Sequence, residues 1–423
     1  MPTDLSRRGF LQSTAAAAAV TTLSVTPAVH AAGGDTLKLA LIGAGGRGTG
    51  AARNALEADP NVKLVAVADV FEDRATGGLK IVKDAFPDKC AVTPDHVFAG
   101  FDAYKAAIDA ADVVILATPP AFRPVHLAYA VEKGKHIFME KPHATDVAGA
   151  KSVIASAKLA QQKGLGLVSG FTYRYDPFKR EVVKRIHGGQ IGDVNVIHTT
   201  FLTNELWVRP SKTNDPAQME YQLRMWYYFT WLSGDHIVEQ ACHNIDKAHW
   251  LMNGQLPVSA TGMGGRQVRT DPKFGNIWDH FTVVYDYASG ARVFLQCRQQ
   301  NNTQGEITDQ VFGTKGTANL MRHTIDAGGD KWKHPGTHDL GLAYLREHEE
   351  LFAGIRSGKP VNDGVVSAHS TLMALLGREA AYTGQRITWA NLMKSNQTLV
   401  PTELAWGEHP VPAVAKPGVT KFA

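Results

Sequence analysis

Two short segments of the sequence hold side chains that could move a proton. Glu140, Lys141 and Pro142 follow an apolar run that is typical of a strand, and charged residues after a strand of a doubly wound sheet lie where ligands bind. Glu239 and His243 are four residues apart, which places both side chains on one face of a helix. Histidine can accept a proton at neutral pH with little adjustment of its pKa, and an ammonium group can stabilise charge that develops on oxygen. Side chains of these types can take up a proton or stabilise negative charge, so they are candidates for catalysis.

A glycine-rich turn indicates where a dinucleotide would bind. The apolar run at 37–42 suits a strand covered on both faces, and an alanine-rich helix follows the turn. One glycine of such a turn permits the tight bend, a second lets the backbone approach a pyrophosphate, and a third lets the helix pack on the strand. The phosphates would lie at the helix N-terminus, where free N–H groups point at them. The residues of the turn predicted to contact the cofactor are Gly43, Gly45, Gly46, Arg47 and Gly48.

A carboxylate at the end of the second strand bears on the choice of cofactor. The strand predicted at 62–67 leads to Asp69, 21 residues after Gly48, where a carboxylate can accept hydrogen bonds from the adenosine ribose. This position favours NAD, because a carboxylate would repel a 2′-phosphate. Arg47 and Arg74 are close in sequence and could accommodate NADP, so both cofactors stay open.

The remaining strands of this region define a first domain at 36–169. A strand at 113–117 ends in a loop that should cross the cofactor, and a strand at 136–139 ends at the charged segment described first. The further predicted cofactor contacts are Thr118, Pro119, Glu140 and Lys141. A second domain is predicted at 170–400, followed by a C-terminal tail at 401–423 that we expect to be loosely held after Pro410.

The segment at 1–31 is typical of a twin-arginine signal peptide. Arg7 and Arg8 precede an apolar stretch at 15–25 and small residues before Ala31, and the apolar stretch is too short to span a bilayer. We therefore expect the export machinery of that route to be a partner and the mature protein to be periplasmic or otherwise exported. Because dinucleotides are scarce outside the cell, the cofactor should be tightly bound and regenerated on the protein.

The composition excludes several classes of function. The 44 Lys and Arg residues are interspersed with 40 Asp and Glu residues, so we expect no binding of nucleic acid and no stable membrane association. The three cysteines are far apart and odd in number, which excludes a disulfide framework and a CxxC motif. The sequence has neither a zinc signature nor a GxSxG motif, so we expect no bound metal and no serine hydrolase chemistry.

The sequence resembles the glucose–fructose oxidoreductase, inositol dehydrogenase and rhizopine-catabolism family over nearly all of residues 37–390. The matching stretches are LALIGAGGRG, VVILATPP, GKHIFMEKP, SGFTYRYDP, GDHIVEQACHNID, GGQIGDVNVI and VFGTKGTANL. The resemblance implies an α/β Rossmann domain followed by an α+β domain with a large, mainly antiparallel open sheet. In the family that sheet commonly mediates oligomerisation, so the resemblance implies a homo-oligomer.

The resemblance also implies roles for individual residues. Lys141 would lie near the nicotinamide and the reacting hydroxyl, and His243 takes the position of the family's helical histidine. Glu239 stands where the family usually has Asp, and it could fix the imidazole or bind a substrate hydroxyl. The residues that the resemblance or the chemistry suggests for the substrate pocket are Arg174, Tyr175, Trp226, Tyr228 and Asp246, the last with a structural or orienting role.

The loop at 203–231 is rich in aromatic residues. Aromatic faces such as those of Trp226 and Tyr228 stack on the C–H faces of sugar rings, although an ordinary core cluster explains the same residues equally well. Arg209, Lys212 and Arg224, interleaved with them, could contact an acidic sugar but are expected to be solvated.

Three functions fit these observations. The first is an NAD(P)-dependent oxidoreductase that acts on a hydroxyl group of a sugar, cyclitol or glycoside, with a tightly bound and recycled cofactor. The second is an NAD-dependent glycosidase that oxidises, eliminates and reduces again. The third is a cofactor-binding protein without catalysis, which the joint presence of Lys141 and His243 disfavours.

Overall fold

The computed structural model describes residues 35–209, 211 and 213–422. The predicted signal peptide at 1–31 lies outside the described residues. Within them, no helix is both long and apolar enough to cross a membrane.

The first domain is built on a six-stranded parallel sheet with the order β3-β2-β1-β4-β5-β6. Its strands are β1 Leu37–Ile42, β2 Val62–Asp69, β3 Val97–Ala99, β4 Val113–Leu116, β5 His136–Met139 and β6 Leu167–Ser169. Its helices are α1 Gly46–Ala58, α2 Glu72–Ala85, α3 Ala103–Asp109, α4 Arg123–Glu132 and α5 Val147–Gln162. Alternate residues of β1 enter the apolar clusters on opposite faces of the sheet, which is why this strand is apolar almost throughout.

The second domain is built on a nine-stranded mixed sheet with the order β14-β13-β12-β11-β7-β10-β9-β8-β15. Its strands are β7 Val194–Thr203, β8 Ser259–Gly265, β9 His280–Asp286, β10 Arg292–Gln299, β11 Glu306–Gly313, β12 Thr317–Asn319, β13 Thr324–Ala327, β14 Asp330–Lys333 and β15 Ile387–Thr388. The pair β7 and β10 is parallel, and the other pairs are antiparallel. The predicted fold class, a Rossmann domain followed by an α+β domain with a mainly antiparallel sheet, is therefore confirmed.

The helices after the first domain lie mostly against one face of the second sheet. They are α6 Pro177–His187, α7 Met219–Arg224, α8 Thr230–Ser233, α9 His236–Glu239, α10 Cys242–Leu251, α11 Leu340–Arg356, α12 Gly364–Thr383 and α13 Trp389–Lys394. Side chains of α10 and α12 pack against the inner residues of β9 and β10, such as Val283 and Leu295, in one buried cluster. The opposite face of the sheet is open.

Helix α11 departs from the predicted division of the chain. It lies inside the range 170–400 predicted for the second domain, but its residues Leu351, Phe352 and Ile355 belong to the apolar cluster of the Rossmann domain. The chain thus returns to the first domain late, and α11 carries side chains to the edge of the nucleotide cleft.

The tail is packed rather than loosely held, contrary to the expectation from its proline content. Leu404 and Val411 lie against the apolar cluster that contains the aromatic loop, and the Gln222 side-chain amide donates to the His409 carbonyl at 2.6 Å. The Trp278 indole N–H donates to the Ala415 carbonyl at 3.1 Å. Apolar side chains between the prolines account for the difference, because they give the tail a surface to bury.

Candidate functional site

A cavity of about 260 Å³ opens at the carboxyl ends of the strands β1, β2 and β4. It brings together most of the residues predicted to bind the cofactor, which are Gly43, Gly45, Gly46, Arg47, Gly48, Asp69, Thr118 and Pro119. The other two, Glu140 and Lys141, line a neighbouring cavity of about 270 Å³ that shares Arg47 and Thr118 with the first. We call the first the nucleotide cavity and the second the reaction cavity.

The glycine turn has the geometry that a dinucleotide requires. Gly43 has a φ of +92°, and a Cβ there would lie 2.5 Å from the carbonyl carbon of Ala117. A Cβ at Gly48 would lie 1.9 Å from the Gly43 oxygen, so only glycine lets α1 pack this closely. Beside Gly45 the nearest atom to a Cβ would be a guanidinium nitrogen of Arg74 at 3.7 Å. The space over Gly45 is therefore open to a pyrophosphate at the N-terminus of α1, and the residues present fit the cofactor.

Asp69 supports the glycine turn as well as lining the nucleotide cavity. One carboxylate oxygen accepts the Ala44 N–H at 2.9 Å, and the other accepts the Phe71 N–H at 3.1 Å. Burial raises the pKa of the Asp69 carboxyl above its ordinary value despite these bonds.

Arg47 is engaged by carboxylates, which corrects the idea that it could receive an NADP phosphate. Its Nε donates to Glu140 at 2.5 Å and its Nη2 donates to Glu347 of α11 at 2.8 Å. Burial raises the pKa of Glu347 well above its ordinary value. Arg47 thereby joins the glycine turn, β5 and α11 at the boundary of the two cavities.

The reaction cavity is lined by all three candidate catalytic residues. The Lys141 ammonium donates to the Glu239 carboxylate at 2.9 Å and to the Glu239 carbonyl at 2.6 Å. The exposed fractions of the two side chains are 11% and 9%, so water screens this ion pair little. The second oxygen of Glu239, Oε2, is buried and has no hydrogen-bond partner among the described residues.

The spacing of four had predicted that Glu239 and His243 share one helix. They do not. Glu239 ends α9, Gln240 and Ala241 interrupt the helix, and His243 lies in the first turn of α10. The carboxylate of Glu239 pairs with Lys141 rather than with the imidazole. The backbone break therefore changes the partner of Glu239, although both side chains still line the same cavity.

His243 is neutral at physiological pH. Burial lowers the pKa of its imidazole well below the ordinary value, and the positive charges of Lys141, Lys247 and Arg47 lower it further. This corrects the expectation that its pKa would need little adjustment. Its Nδ1 is buried with no partner in the described part of the chain, and its ring meets those of Phe171 and Tyr173 edge to face. The neutral ring can accept a proton.

Lys141 remains an ammonium although it is buried. Burial favours the neutral amine, but the negative charge of Glu239 outweighs it together with smaller contributions from Cys242 and Glu140, so the pKa of Lys141 is raised. The cavity thus presents the Lys141 ammonium together with the neutral base His243, which suits a reaction that develops negative charge on an oxygen.

Four of the five predicted substrate contacts line neither the nucleotide cavity nor the reaction cavity. Arg174 forms a bidentate ion pair with Asp246, with distances of 2.8 and 2.9 Å, and the Tyr175 hydroxyl donates to Asp363 at 2.8 Å. Tyr228 is fully buried, and its hydroxyl donates to the Leu206 carbonyl at 3.0 Å. These polar groups are satisfied inside the protein, so they support the structure.

Trp226 is the predicted substrate contact that does line both cavities. Its neighbour Trp207 lies 6.0 Å away between ring centroids and lines the nucleotide cavity. The aromatic loop is therefore partly a core cluster and partly a roof over the cleft.

Sequence reasoning missed three polar side chains that line the reaction cavity, namely those of Arg123, Gln240 and Tyr344. Tyr344 comes from α11, about 200 residues after the EKP segment, and no local pattern marks it. Arg123 follows the loop after β4 and begins α4, and no local pattern marks its burial.

Arg123 holds together the two loops that carry the reaction cavity. Its guanidinium donates to the carbonyls of Thr118, Glu140 and Pro142, the last at 2.9 Å. The side chain is buried, and burial lowers its pKa to about 10. Arg123 is therefore a positioning residue for Lys141.

We expect Arg123→Met to lower kcat by about 100-fold, because a displacement of about 1 Å at the reacting groups has an effect of this size. Steady-state kinetics should show the loss in kcat, while a dinucleotide should still bind, since Arg123 does not line the nucleotide cavity. Arg53→Met, at an exposed position of α1, is the matched control. An Arg123→Met protein with unchanged kcat would contradict the positioning role.

A second polar cluster lies outside both cavities. Donor atoms of Asp176, His323 and His338 lie within 4.8 Å of one another, as in some metal sites. The Lys179 ammonium already lies 2.8 Å from the Asp176 carboxylate and 3.1 Å from His323 Nε2. The Lys179 ammonium therefore already provides the positive charge that a metal ion would bring to this position.

Comparison with known proteins agrees with the fold and the cleft. Residues 37–167 match the oxidoreductase family with an NAD-binding Rossmann fold, and residues 180–319 match the GFO/IDH/MocA C-terminal domain. The protein is thus an NAD-binding oxidoreductase. The two matches are the two domains of one family in their usual order, so the chain belongs to the GFO/IDH/MocA family.

Several relatives cover most of the chain. The inositol 2-dehydrogenase of Rhizobium meliloti (strain 1021) is 28% identical over 347 residues, which are 78% of this chain and 94% of the relative. A levoglucosan dehydrogenase solved with NADH and levoglucosan has a TM-score of 0.65 and 20% identity. An aldose–aldose oxidoreductase from Caulobacter crescentus, solved with glycerol, has a TM-score of 0.63 and 21% identity. Each structure covers 84% of this chain and 99% of its own, and at these identities the likeness concerns the fold.

Proposed function

We propose that this protein is a dehydrogenase that oxidises a ring hydroxyl of a sugar or cyclitol with a nicotinamide adenine dinucleotide. The observation that supports it most is the Lys141–Glu239 ion pair beside a neutral His243, in a cavity that shares Arg47, Thr118 and Trp226 with the nucleotide cavity. Substrate and cofactor could meet at that boundary.

The residues of the reaction cavity divide the work of such an oxidation. The bound nicotinamide would accept the hydride. His243 takes the hydroxyl proton as a neutral base, and the Lys141 ammonium stabilises the alkoxide that develops. Glu239 orients Lys141 through Oε1, and its unpartnered Oε2 accepts a hydrogen bond from a neighbouring substrate hydroxyl.

A polyhydroxylated ring suits this cavity. A buried carboxylate oxygen without a partner favours a ligand that donates, and the Trp226 ring offers an apolar face. The names of the relatives, inositol 2-dehydrogenase and levoglucosan dehydrogenase, refer to substrates of this kind. We extend that substrate class, and no single substrate, to this chain.

The proposal includes export with a resident cofactor. The pair Arg7 and Arg8 in the segment at 1–31 supports a twin-arginine route, which carries folded proteins. A protein that works away from the cellular pool of NAD or NADP must retain its cofactor and regenerate it with a second substrate. Fractionation of cells that produce the full chain, with detection of the periplasmic protein, tests this part.

One experiment separates the candidate functions. The protein is purified from the exported fraction, any bound nucleotide is released and identified, and sugars, cyclitols and aryl glycosides are screened by cofactor absorbance and by aglycone release. We expect reduction of the cofactor by a sugar or cyclitol. Aglycone release without net reduction would replace the dehydrogenase with the glycosidase, and the lack of any bound or bindable dinucleotide would contradict both.

We also propose that the protein is a homo-oligomer that associates through the open face of the second sheet. The strand register places several apolar side chains on that face, among them Val196, Met263, Val284, Phe294 and Phe312. Met263 and Phe312 are exposed in the single chain. An apolar surface of this extent is typical of an interface.

Phe312→Asp should reduce the molar mass in solution to that of one chain, because a buried carboxylate would lose its hydration. Size-exclusion chromatography with light scattering measures the mass. Ile81→Asp, at an exposed apolar position on α2, is the matched control and should leave the mass unchanged. A monomeric unaltered protein would contradict the proposed association.

A further inference from the structure

Two arginines lie at one end of the nucleotide cavity without a direct ion pair to a described carboxylate. Arg74 comes from α2 of the Rossmann domain, and Arg209 comes from the aromatic loop of the second domain. Both line the nucleotide cavity and a wider cavity that adjoins it. Neither forms an ion pair with any described residue, which is unusual for guanidinium groups in a cleft.

The acidic side chains nearby are engaged elsewhere. Asp69 accepts hydrogen bonds from the backbone with both oxygens, and burial raises its pKa. Arg224 holds Asp73 at 3.1 Å and Glu220 at 3.2 Å. Glu72 also lines the wider cavity but is exposed to solvent. Neither Arg74 nor Arg209 therefore has a carboxylate in direct contact among the described residues, although the charge of Asp69 acts on both.

Both guanidinium groups are held in place by their surroundings. The Arg209 guanidinium lies 3.8 Å from the centre of the Trp207 ring, and the backbone N–H of Arg209 donates to the Met225 sulfur at 3.2 Å. Arg74 lies 5.9 Å from the centre of the Phe71 ring and beside Gly45 of the glycine turn. Burial and the charge of Arg74 lower the pKa of Arg209 to about 10, so this site favours an anion.

We propose that Arg74 and Arg209 bind a phosphate group on the adenosine ribose, so that the protein prefers NADP(H) to NAD(H). The pair lies beside Asp69, the residue at the end of β2 that faces the ribose in a Rossmann fold. Two guanidinium groups match the charge and the hydrogen-bond geometry of a phosphate dianion. This inference rests on the proposed function, since it requires a dinucleotide in the cleft.

The test compares two nucleotides that differ in the 2′-phosphate alone. Isothermal titration calorimetry of the purified protein, after removal of resident nucleotide, measures the Kd of adenosine 2′,5′-bisphosphate and of adenosine 5′-monophosphate. We expect the bisphosphate to bind at least about tenfold more tightly, since charge-assisted hydrogen bonds to arginine are strong. Nucleotide released by acid from the untreated protein should be NADP(H), identified by mass.

Variants assign the preference to the two residues. Arg74→Gln and Arg209→Gln should each remove most of the preference for the bisphosphate, with a change of less than about threefold for the monophosphate. Arg53→Gln, which lines none of these cavities, is the control and should keep the preference. Thermal melting of each variant checks that it is folded.

The outcomes separate this inference from the proposed function. Equal affinity for the two nucleotides overturns the 2′-phosphate site. An equal loss of affinity for both nucleotides in the variants also overturns it and would place the arginines at the pyrophosphate. Binding of neither nucleotide overturns the dehydrogenase proposal as well. Release of NAD alone from the untreated protein also overturns the preference.

Discussion

Lys141→Ala should lower kcat by about 10²- to 10³-fold and leave dinucleotide binding nearly intact. Lys141 is the buried ammonium of the reaction cavity, held by Glu239 at 2.9 Å, and it is absent from the lining of the nucleotide cavity. Its removal takes away the positive charge that stabilises an alkoxide. This charge stabilises the transition state more than the bound substrate, so the loss should appear in kcat.

The measurement pairs single-turnover reduction of the cofactor with a dinucleotide titration. Lys63→Ala, at an exposed position of β2, is the control for loss of a lysine and should behave as the unaltered protein. Glu239→Gln should also lower kcat, because Lys141 would lose both its orientation and the negative charge that keeps it an ammonium. Full activity in Lys141→Ala would remove this residue from the proposed chemistry.

The second large effect concerns His243 and pH. His243→Gln should lower kcat by about 10²- to 10⁴-fold, the usual contribution of a general base. In the unaltered protein the pKa of His243 is lowered, so the imidazole stays neutral and able to accept a proton as the pH falls through 6.5. The plot of log kcat/KM against pH should therefore have no inflection near pH 6.5.

Steady-state kinetics between pH 8 and pH 5.5 test this expectation. A fall in kcat/KM with an apparent pKa near 6.5 would show that His243 titrates as an ordinary histidine, contrary to its burial beside Lys141 and Lys247. A His243→Gln protein that retains full kcat would instead leave Lys141 as the group that moves the proton.

The nucleotide cleft could be predicted from sequence because local backbone geometry dictates its residues. A Cβ at Gly43 would clash with the backbone after β4, and a Cβ at Gly48 with the turn itself, so the glycines reflect the structure directly. Lys141 was recognisable for a related reason, since it follows a short buried strand at the edge where ligands bind.

The walls of the cleft could not be predicted, because they depend on contacts between distant parts of the chain. The sequence does not indicate that Arg174 pairs with Asp246, 72 residues later, and so turns away from the pocket. It does not indicate that α11 returns to the Rossmann domain with Tyr344 and Glu347. The break in the helix after Glu239 could not be predicted either, because a spacing of four residues is compatible with one continuous helix and with two consecutive short helices.

The roof of the nucleotide cavity has a consequence for the order in which the protein is made. The floor is complete once residues up to β6 have been synthesised, whereas Trp207 and Trp226 follow later. Residues 399–411, which pack behind the aromatic loop, come almost 180 residues after Trp226. Trp207 and Trp226 thus belong to a roof whose supporting residues are made only in the last part of synthesis.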